Sequence, residues 1–141
     1  MIARIVIDTN VFVSALRSQL GASYKLLLLV GGETFDIVVS VPLVLEYEEV
    51  AKRQARRIGL TYDDLDDILN YLCTVGDRRQ VFFLWRPFLP DPRDDMVLEL
   101  AVEAACNYIV TFNVRHFNGV EQFGISAITP AQFLRLIGEI K

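Results

Sequence analysis

The sequence predicts an α/β domain of three layers, in which helices cover both faces of a central parallel sheet. Short apolar segments rich in β-branched residues occur at Ile2–Ile7, Phe35–Val39 and Tyr108–Thr111, and segments with helical spacing of apolar residues separate them. Strands that are apolar on consecutive positions and alternate with helices are typical of parallel sheets. Neither a composition shift nor a linker divides the 141 residues, so we expect a single domain over residues 1–141.

The predicted helices begin and end at residues that favour helix termini. Threonine and aspartate side chains accept hydrogen bonds from the free amides at a helix start, and proline fits the first helical position. Two further strands are expected at Val81–Trp85 and Ser126–Ile128. The expected helices are Val11–Arg17, Ala22–Val30, Pro42 to about Arg57, Thr61 through Leu72, Asp91 through Ala105 and Thr129 through Leu136.

Composition and charge argue against several classes of protein. The net charge of −4 argues against a basic surface that coats nucleic acid non-specifically. Cys73 and Cys106 are too few for a disulfide framework. No apolar run is long enough to span a membrane, and the first residues resemble a strand rather than a signal peptide. We therefore expect a soluble, cytoplasmic protein with no membrane contact.

Polar side chains collect where the predicted strands end. Asp8 follows the first strand, and Thr111 ends the strand that begins at Tyr108. Glu46 lies one turn into the helix after the second strand, and Asp94 and Asp95 lie in the first turn of the helix before Tyr108. Ligands of parallel α/β sheets bind beyond the carboxyl ends of the strands, where the strand order switches. The sequence therefore predicts a functional site at this edge.

Asp8 has a structural alternative, because aspartate often caps a helix. However, Thr9 and Asn10 can provide the same cap, and only one cap is needed. A carboxylate next to a buried sheet is costly unless it is paired. We therefore assign a functional role to Asp8 and a structural role to Asn10.

The other acidic candidates are less clearly separated from helix caps and surface charges. Glu46 differs from the other glutamates of its helix only by its position near the edge, so both interpretations stay open. Asp91 as cap and Asp94 at the third helical position form a capping arrangement. Asp95 has no part in that arrangement, which favours it as a ligand, and Asp94 remains a second candidate.

Segments along almost the whole chain resemble PIN domains. Val6–Leu16 looks like the opening of this family, and Asp91–Ala101 followed by Tyr108–Asn113 resembles its third acidic motif and fourth strand. The ending Ile128–Leu134 is similar to a bacterial subgroup described as toxin components of toxin–antitoxin systems. The four segments occur in the family's order and spacing.

The resemblance implies a metal-dependent RNA endonuclease that uses Mg²⁺ or Mn²⁺, often forms a homodimer, and is paired with a separately encoded antitoxin protein. Oxygen ligands suit both ions. His116 stands where some members carry another acid. The implied catalytic and metal residues are Asp8, Glu46 and Asp95, with Asn113 at the fourth polar position through water, Asp94 less favoured, and Thr9, Asn10 and Thr111 in support.

Two classes of enzyme also place an aspartate after a strand and use Mg²⁺, namely receiver domains and haloacid-type phosphatases. Both need a lysine beyond a later strand, and Lys25, Lys52 and Lys141 are not suitably placed. The phosphatases also carry a second aspartate where this chain has Asn10. The only histidine, His116, suits neither a zinc site nor a serine hydrolase, so we expect an ordinary loop residue.

Substrate contacts are expected from basic residues beside the acids. Arg53 and Arg57 lie about two and three turns beyond Glu46 on the same helical face, where they could bind RNA phosphates. The alternative is a solvated basic face that pairs with the acidic run at residues 63–67. A second hypothesis for the chain is an inactive or weakly active PIN-like module that binds RNA or protein, which Asn113 favours.

Overall fold

A central sheet of five parallel strands forms the middle layer of the molecule. The computed structural model describes residues 2–81 and 87–141. Helices flank the sheet in three α/β/α layers, so the predicted fold class is confirmed. In chain order the strands are β1 (Ala3–Ile7), β2 (Phe35–Val39), β3 (Asp77–Arg78), β4 (Tyr108–Val110) and β5 (Ser126–Ile128), and their spatial order is β3-β2-β1-β4-β5.

Seven α-helices are described, and most begin where the sequence predicts. The predicted helix from Pro42 to Arg57 is two helices, because the first ends at Arg53 and Gln54 has a non-helical backbone. Short 3₁₀ helices lie at Val114–Phe117 and Val120–Phe123. The α-helices are α1 (Thr9–Arg17), α2 (Ala22–Leu29), α3 (Val41–Arg53), α4 (Ala55–Ile58), α5 (Tyr62–Val75), α6 (Pro92–Glu103) and α7 (Pro130–Leu136).

The order of the strands reverses at β1, which pairs with β2 on one side and β4 on the other. The pairing with β4 extends one residue past β1, because the Asp8 amide donates to the Val110 carbonyl at 2.9 Å. On the next strand pair, the Thr111 amide donates to the Ile128 carbonyl at 2.9 Å. Asp8 and Thr111 therefore lie side by side at the carboxyl edge, at the switch in strand order.

The third strand differs from the prediction. The predicted strand Val81–Trp85 lies outside the described residues except for Val81, which is not in a strand. The strand beside β2 is the two-residue β3, and the Arg4 guanidinium binds the Asp77 carboxylate there at 2.7 Å. A strand of two charged residues carries no hydrophobic pattern, which is why the sequence did not indicate it.

The buried face of α3 is held by an aromatic contact with α1 and a hydrogen bond to β1. The Phe12 and Tyr47 rings stack with their centroids 4.6 Å apart, and the Tyr47 hydroxyl donates a hydrogen bond to the Ile7 carbonyl. Tyr47 is almost fully buried, so this bond satisfies a hydroxyl that would otherwise be costly to bury. The contact holds the start of α3 against the end of β1.

In the described part of the chain, no helix combines the length and the apolar character that crossing a bilayer requires.

Candidate active site

Asp8 lies at the carboxyl end of β1 and also caps α1. One carboxylate oxygen accepts from the Thr9 amide at 2.9 Å, and the other accepts from the Thr111 hydroxyl at 2.7 Å. Burial raises the pKa of the Asp8 carboxyl, although both hydrogen bonds act to lower it. The two bonds fix the orientation of the carboxylate, and each oxygen keeps a further lone pair for a ligand. Capping therefore leaves the Asp8 carboxylate able to accept a further ligand.

Glu46 reaches the same region from the first turns of α3. It is half-buried, and burial raises the pKa of its carboxyl, with a further contribution from the negative charge of Asp8. Tyr47 anchors the neighbouring position of the helix on Ile7, so the two acids are held near each other by the core.

The structure separates Asp94 from its neighbour Asp95. Burial raises the pKa of Asp94 to about 6, with a further contribution from the negative charge of Asp8. The Asp95 side chain is 1% exposed and accepts from the Leu89 amide at 2.8 Å and the Phe88 amide at 3.3 Å. Asp95 thus holds the loop before α6.

These side chains surround a pocket of about 450 Å³ at the carboxyl edge of the sheet. Asp95, the sequence-based choice for the third acid, does not line it. Its place is taken by Asp94, the less favoured candidate. The charged lining comprises four acids and two arginines, namely Asp8, Glu46, Asp91, Asp94, Arg17 and Arg93.

Asn10, Asn113 and His116 also line the pocket. Asn10 accepts from the Phe112 amide at 3.4 Å, which ties the loop after β4 to α1 and agrees with a structural role. The Asn113 amide donates to the Thr111 hydroxyl oxygen at 2.9 Å. His116 Nδ1 lies 3.6 Å from the Asp94 carboxylate, so this histidine belongs to the pocket rather than to an ordinary loop.

The arginines that the sequence favoured for RNA binding do not line this pocket. Arg53 lies 3.9 Å from Glu49 and is largely exposed, and Arg57 is exposed on α4. Lys52 pairs with Asp66 at 2.9 Å, as the alternative of a solvated basic face predicts. Basic residues at the pocket come from α1 and α6 instead.

A family model for the PIN domain matches residues 4–115, which include every strand that borders the pocket and all four of its acids. The chain belongs to the PIN-domain family. No curated protein matches the chain. PIN domains are generally nucleases, and the PIN nucleases generally use divalent metals.

The pocket of this PIN domain has the donor chemistry that a divalent cation needs. Asp8, Glu46 and Asp94 supply hard oxygen ligands, and the pKa of each carboxyl is raised, as expected for acids that a cation would stabilise. The Thr9 hydroxyl and the Gln54 side-chain oxygen also line the pocket, buried and without hydrogen-bond partners among the described residues. Thr9 nevertheless lowers the pKa of the nearby Glu46 carboxyl.

The carboxylates are not gathered around a single point. Within residues 2–81 and 87–141, no group of three or more histidine, cysteine, aspartate or glutamate side chains is arranged closely enough to hold a metal ion. The side chains of the pocket therefore have the chemistry of ligands for a divalent cation, but they are spread over its walls.

Proposed function

We propose that this PIN domain is a metal-dependent RNA endonuclease. The presence of Asp8, Glu46 and Asp94 in the walls of one pocket at the switch in strand order is the observation that carries the proposal. Bound Mg²⁺ or Mn²⁺ supplies an activated water and stabilises charge on the phosphate that is attacked. Asp8, Glu46 and Asp94 would hold the ion, and Asn113 would contribute through water.

The protein's own side chains prepare this chemistry. Thr111 and the Thr9 amide orient Asp8, so that the carboxylate costs little to position when a ligand arrives. His116 lies 3.6 Å from the Asp94 carboxylate in the lining of the pocket. Asn10 fixes the loop that carries Asn113. These contacts support a pocket that is organised before RNA binds.

The second candidate is a weakly active or inactive PIN-like module that binds RNA or protein. Asn113 and His116 favour it, because an amide and an imidazole replace acids that would add negative charge around a metal. The retained acids Asp8, Glu46 and Asp94 favour the nuclease. Metal-dependent cleavage separates the two candidates directly.

The nuclease proposal predicts cleavage of RNA in Mn²⁺ or Mg²⁺ and none in EDTA. Asp8→Asn should abolish cleavage because it removes the best-oriented ligand, whereas Glu49→Gln, which changes a surface acid outside the pocket, should not. Melting curves give an independent readout. Mn²⁺ should raise the melting temperature of the wild type and of Glu49→Gln but not that of Asp8→Asn. Undiminished cleavage by Asp8→Asn would place the activity elsewhere.

We further propose that the nuclease is the toxin of a toxin–antitoxin pair and acts as a homodimer, which the resemblance of Ile128–Leu134 to toxin components supports. Expression of the wild type should then slow growth, and co-expression of a small protein encoded beside it should restore growth. Asp8→Asn is the control, since it should be harmless alone. Normal growth during expression of a cleaving enzyme would reject the toxin role and leave the nuclease standing.

A further inference from the structure

The two basic side chains of the pocket lie on elements that flank its acids. Arg17 is the last residue of α1, and Arg93 lies in the first turn of α6. Arg93 is 72% exposed and 3.8 Å from Asp91, which makes a weak ion pair. In the described part of the chain, Arg17 has no carboxylate within ion-pair distance. Both guanidinium groups are therefore available to an anionic ligand.

The pocket needs this positive charge to receive RNA. Its four acids repel phosphates, and the chain as a whole is acidic. Guanidinium groups bind phosphate through two parallel hydrogen bonds, with defined geometry. Arg17 and Arg93 are the only arginines or lysines among the residues described as lining the pocket. They can draw phosphates to a pocket whose acids would otherwise repel them.

An exposed aromatic ring stands next to the pocket. Phe112 is 48% exposed and lies between Thr111, which holds Asp8, and Asn113, which lines the pocket. Its backbone amide is held by Asn10. Among the described residues no other ring packs on Phe112, whereas Phe88 and Phe123 pack on each other at 5.2 Å. A free aromatic face is a stacking surface for an unpaired base.

We propose that Arg17 and Arg93 bind RNA phosphates on two sides of the acidic pocket, and that Phe112 stacks on an unpaired base beside the bond that is cut. The proposal rests on the nuclease function and assigns its substrate contacts to residues other than Arg53 and Arg57. The contacts follow one strand, since the base faces of a duplex are covered by stacking.

Binding can be measured apart from cleavage by fluorescence anisotropy of a labelled single-stranded RNA in EDTA over a series of salt concentrations. Arg17→Gln and Arg93→Gln should each weaken binding and lower the slope of log affinity against log salt by about 0.7, because one phosphate contact is lost. Arg17→Lys should keep the slope. The matched controls, Arg53→Gln and Arg57→Gln, should bind as the wild type does.

Phe112 should behave differently from the arginines. Phe112→Ala should weaken binding roughly tenfold, since stacking is lost, and leave the salt slope unchanged. Phe112→Tyr should restore affinity. Tyr62→Ala removes another exposed aromatic, outside the pocket, and should have no effect. Melting curves of all variants establish that each is folded.

Several results would overturn the assignment. It fails if the wild type does not bind single-stranded RNA, if the Arg17 and Arg93 variants keep wild-type affinity and slope, or if Arg57→Gln weakens binding as much as they do. Equal affinity for a duplex of the same sequence removes the role of Phe112. Apart from a failure of the wild type to bind RNA, each of these results is compatible with cleavage by the wild type in Mn²⁺. The proposed function and this assignment can therefore fail separately.

Discussion

Asp94 and Asp95 are neighbours in sequence, yet they belong to different parts of the molecule. Successive residues of a helix point about 100° apart, so the two carboxylates of α6 cannot face the same group. Asp94 points into the pocket with His116, and Asp95 points at the amides of Phe88 and Leu89. Asp94 lines the pocket, and Asp95 holds the loop before α6.

This difference predicts opposite effects for the same substitution. Asp94→Asn should abolish metal-dependent cleavage and leave the metal-free melting temperature unchanged or higher, because it relieves repulsion with Asp8. Asp95→Asn should keep cleavage and lower the free energy of unfolding by about 1 kcal/mol, because charged acceptors of amide hydrogen bonds are replaced by neutral ones. Cleavage assays and melts in EDTA check both. Loss of cleavage in Asp95→Asn alone would restore the sequence-based assignment.

The sequence singled out Asp8 because it directly follows the end of a strand, where topology determines the position. It left Glu46 open between a site residue and a surface charge, because Glu46 lies in the helix that follows the second strand. It favoured Asp95 as a ligand because Asp95 has no part in the capping of its own helix, and hydrogen bonds to amides outside that helix could not be predicted. The amides that Asp95 binds lie six and seven residues earlier, in a loop. His116 was missed for a similar reason, since only the folded loop after β4 brings it to Asp94.

At the scale of elements, helix starts were predictable and one helix end was not. Thr61 and Thr129 each form a capping box, in which the side chain and a residue three positions later bind each other's amides. Those partners are local, so the sequence alone indicates them. The end of α3 at Gln54 has no glycine or proline to mark it, and Gly59, with φ +84°, ends the short α4 instead.

The parallel sheet was predictable for a comparable reason. β1, β2 and β4 are mostly apolar, with Arg4 and Asp36 as the exceptions, and helices lie between them. The last three residues of β1 and of β2 are buried in succession, as in strands whose two faces are covered. The strand order, and with it the pairing of Asp8 with Val110, depends on contacts more than a hundred residues apart in sequence. The sequence indicated which edge holds the site, and the order of strands determined which side chains meet there.

For the whole molecule, the acids of the pocket make the stability of the metal-free protein depend on pH. Asp8, Glu46 and Asp94 all have raised pKa values, chiefly because burial disfavours their charged forms. In the unfolded chain these groups lose their protons at lower pH than in the folded protein. Folding therefore binds protons in this range, and the metal-free protein loses stability as pH rises.

We expect the free energy of unfolding in EDTA to fall between about pH 4 and pH 6, the window from the ordinary pKa of Asp94 to its value of about 6. Asp94→Asn should remove on the order of 1 kcal/mol of this fall, after allowance for screening at the open pocket. Urea denaturation at several pH values measures it.

The matched control is Asp64→Asn, which changes an exposed acid whose pKa the Thr61 amide and hydroxyl lower. That carboxylate stabilises the fold once it is charged, above its ordinary pKa, so its loss should reduce stability evenly from about pH 5 upward and leave the fall with pH intact. A wild type whose stability rises from pH 4 to pH 6 would show that the acids of the pocket are not strained.

The hydrogen bond from Tyr47 to the Ile7 carbonyl limits which substitutions the core can accept during evolution. Ile7 and Tyr47 are the chain neighbours of Asp8 and Glu46, so one buried contact sets the spacing of two acids that never touch it. Tyr47 does not line the pocket and would be grouped with the core by its burial. Its hydroxyl nevertheless fixes the position of α3 against β1. A Tyr47→Phe substitution would keep the packing of the ring and remove this hydrogen bond.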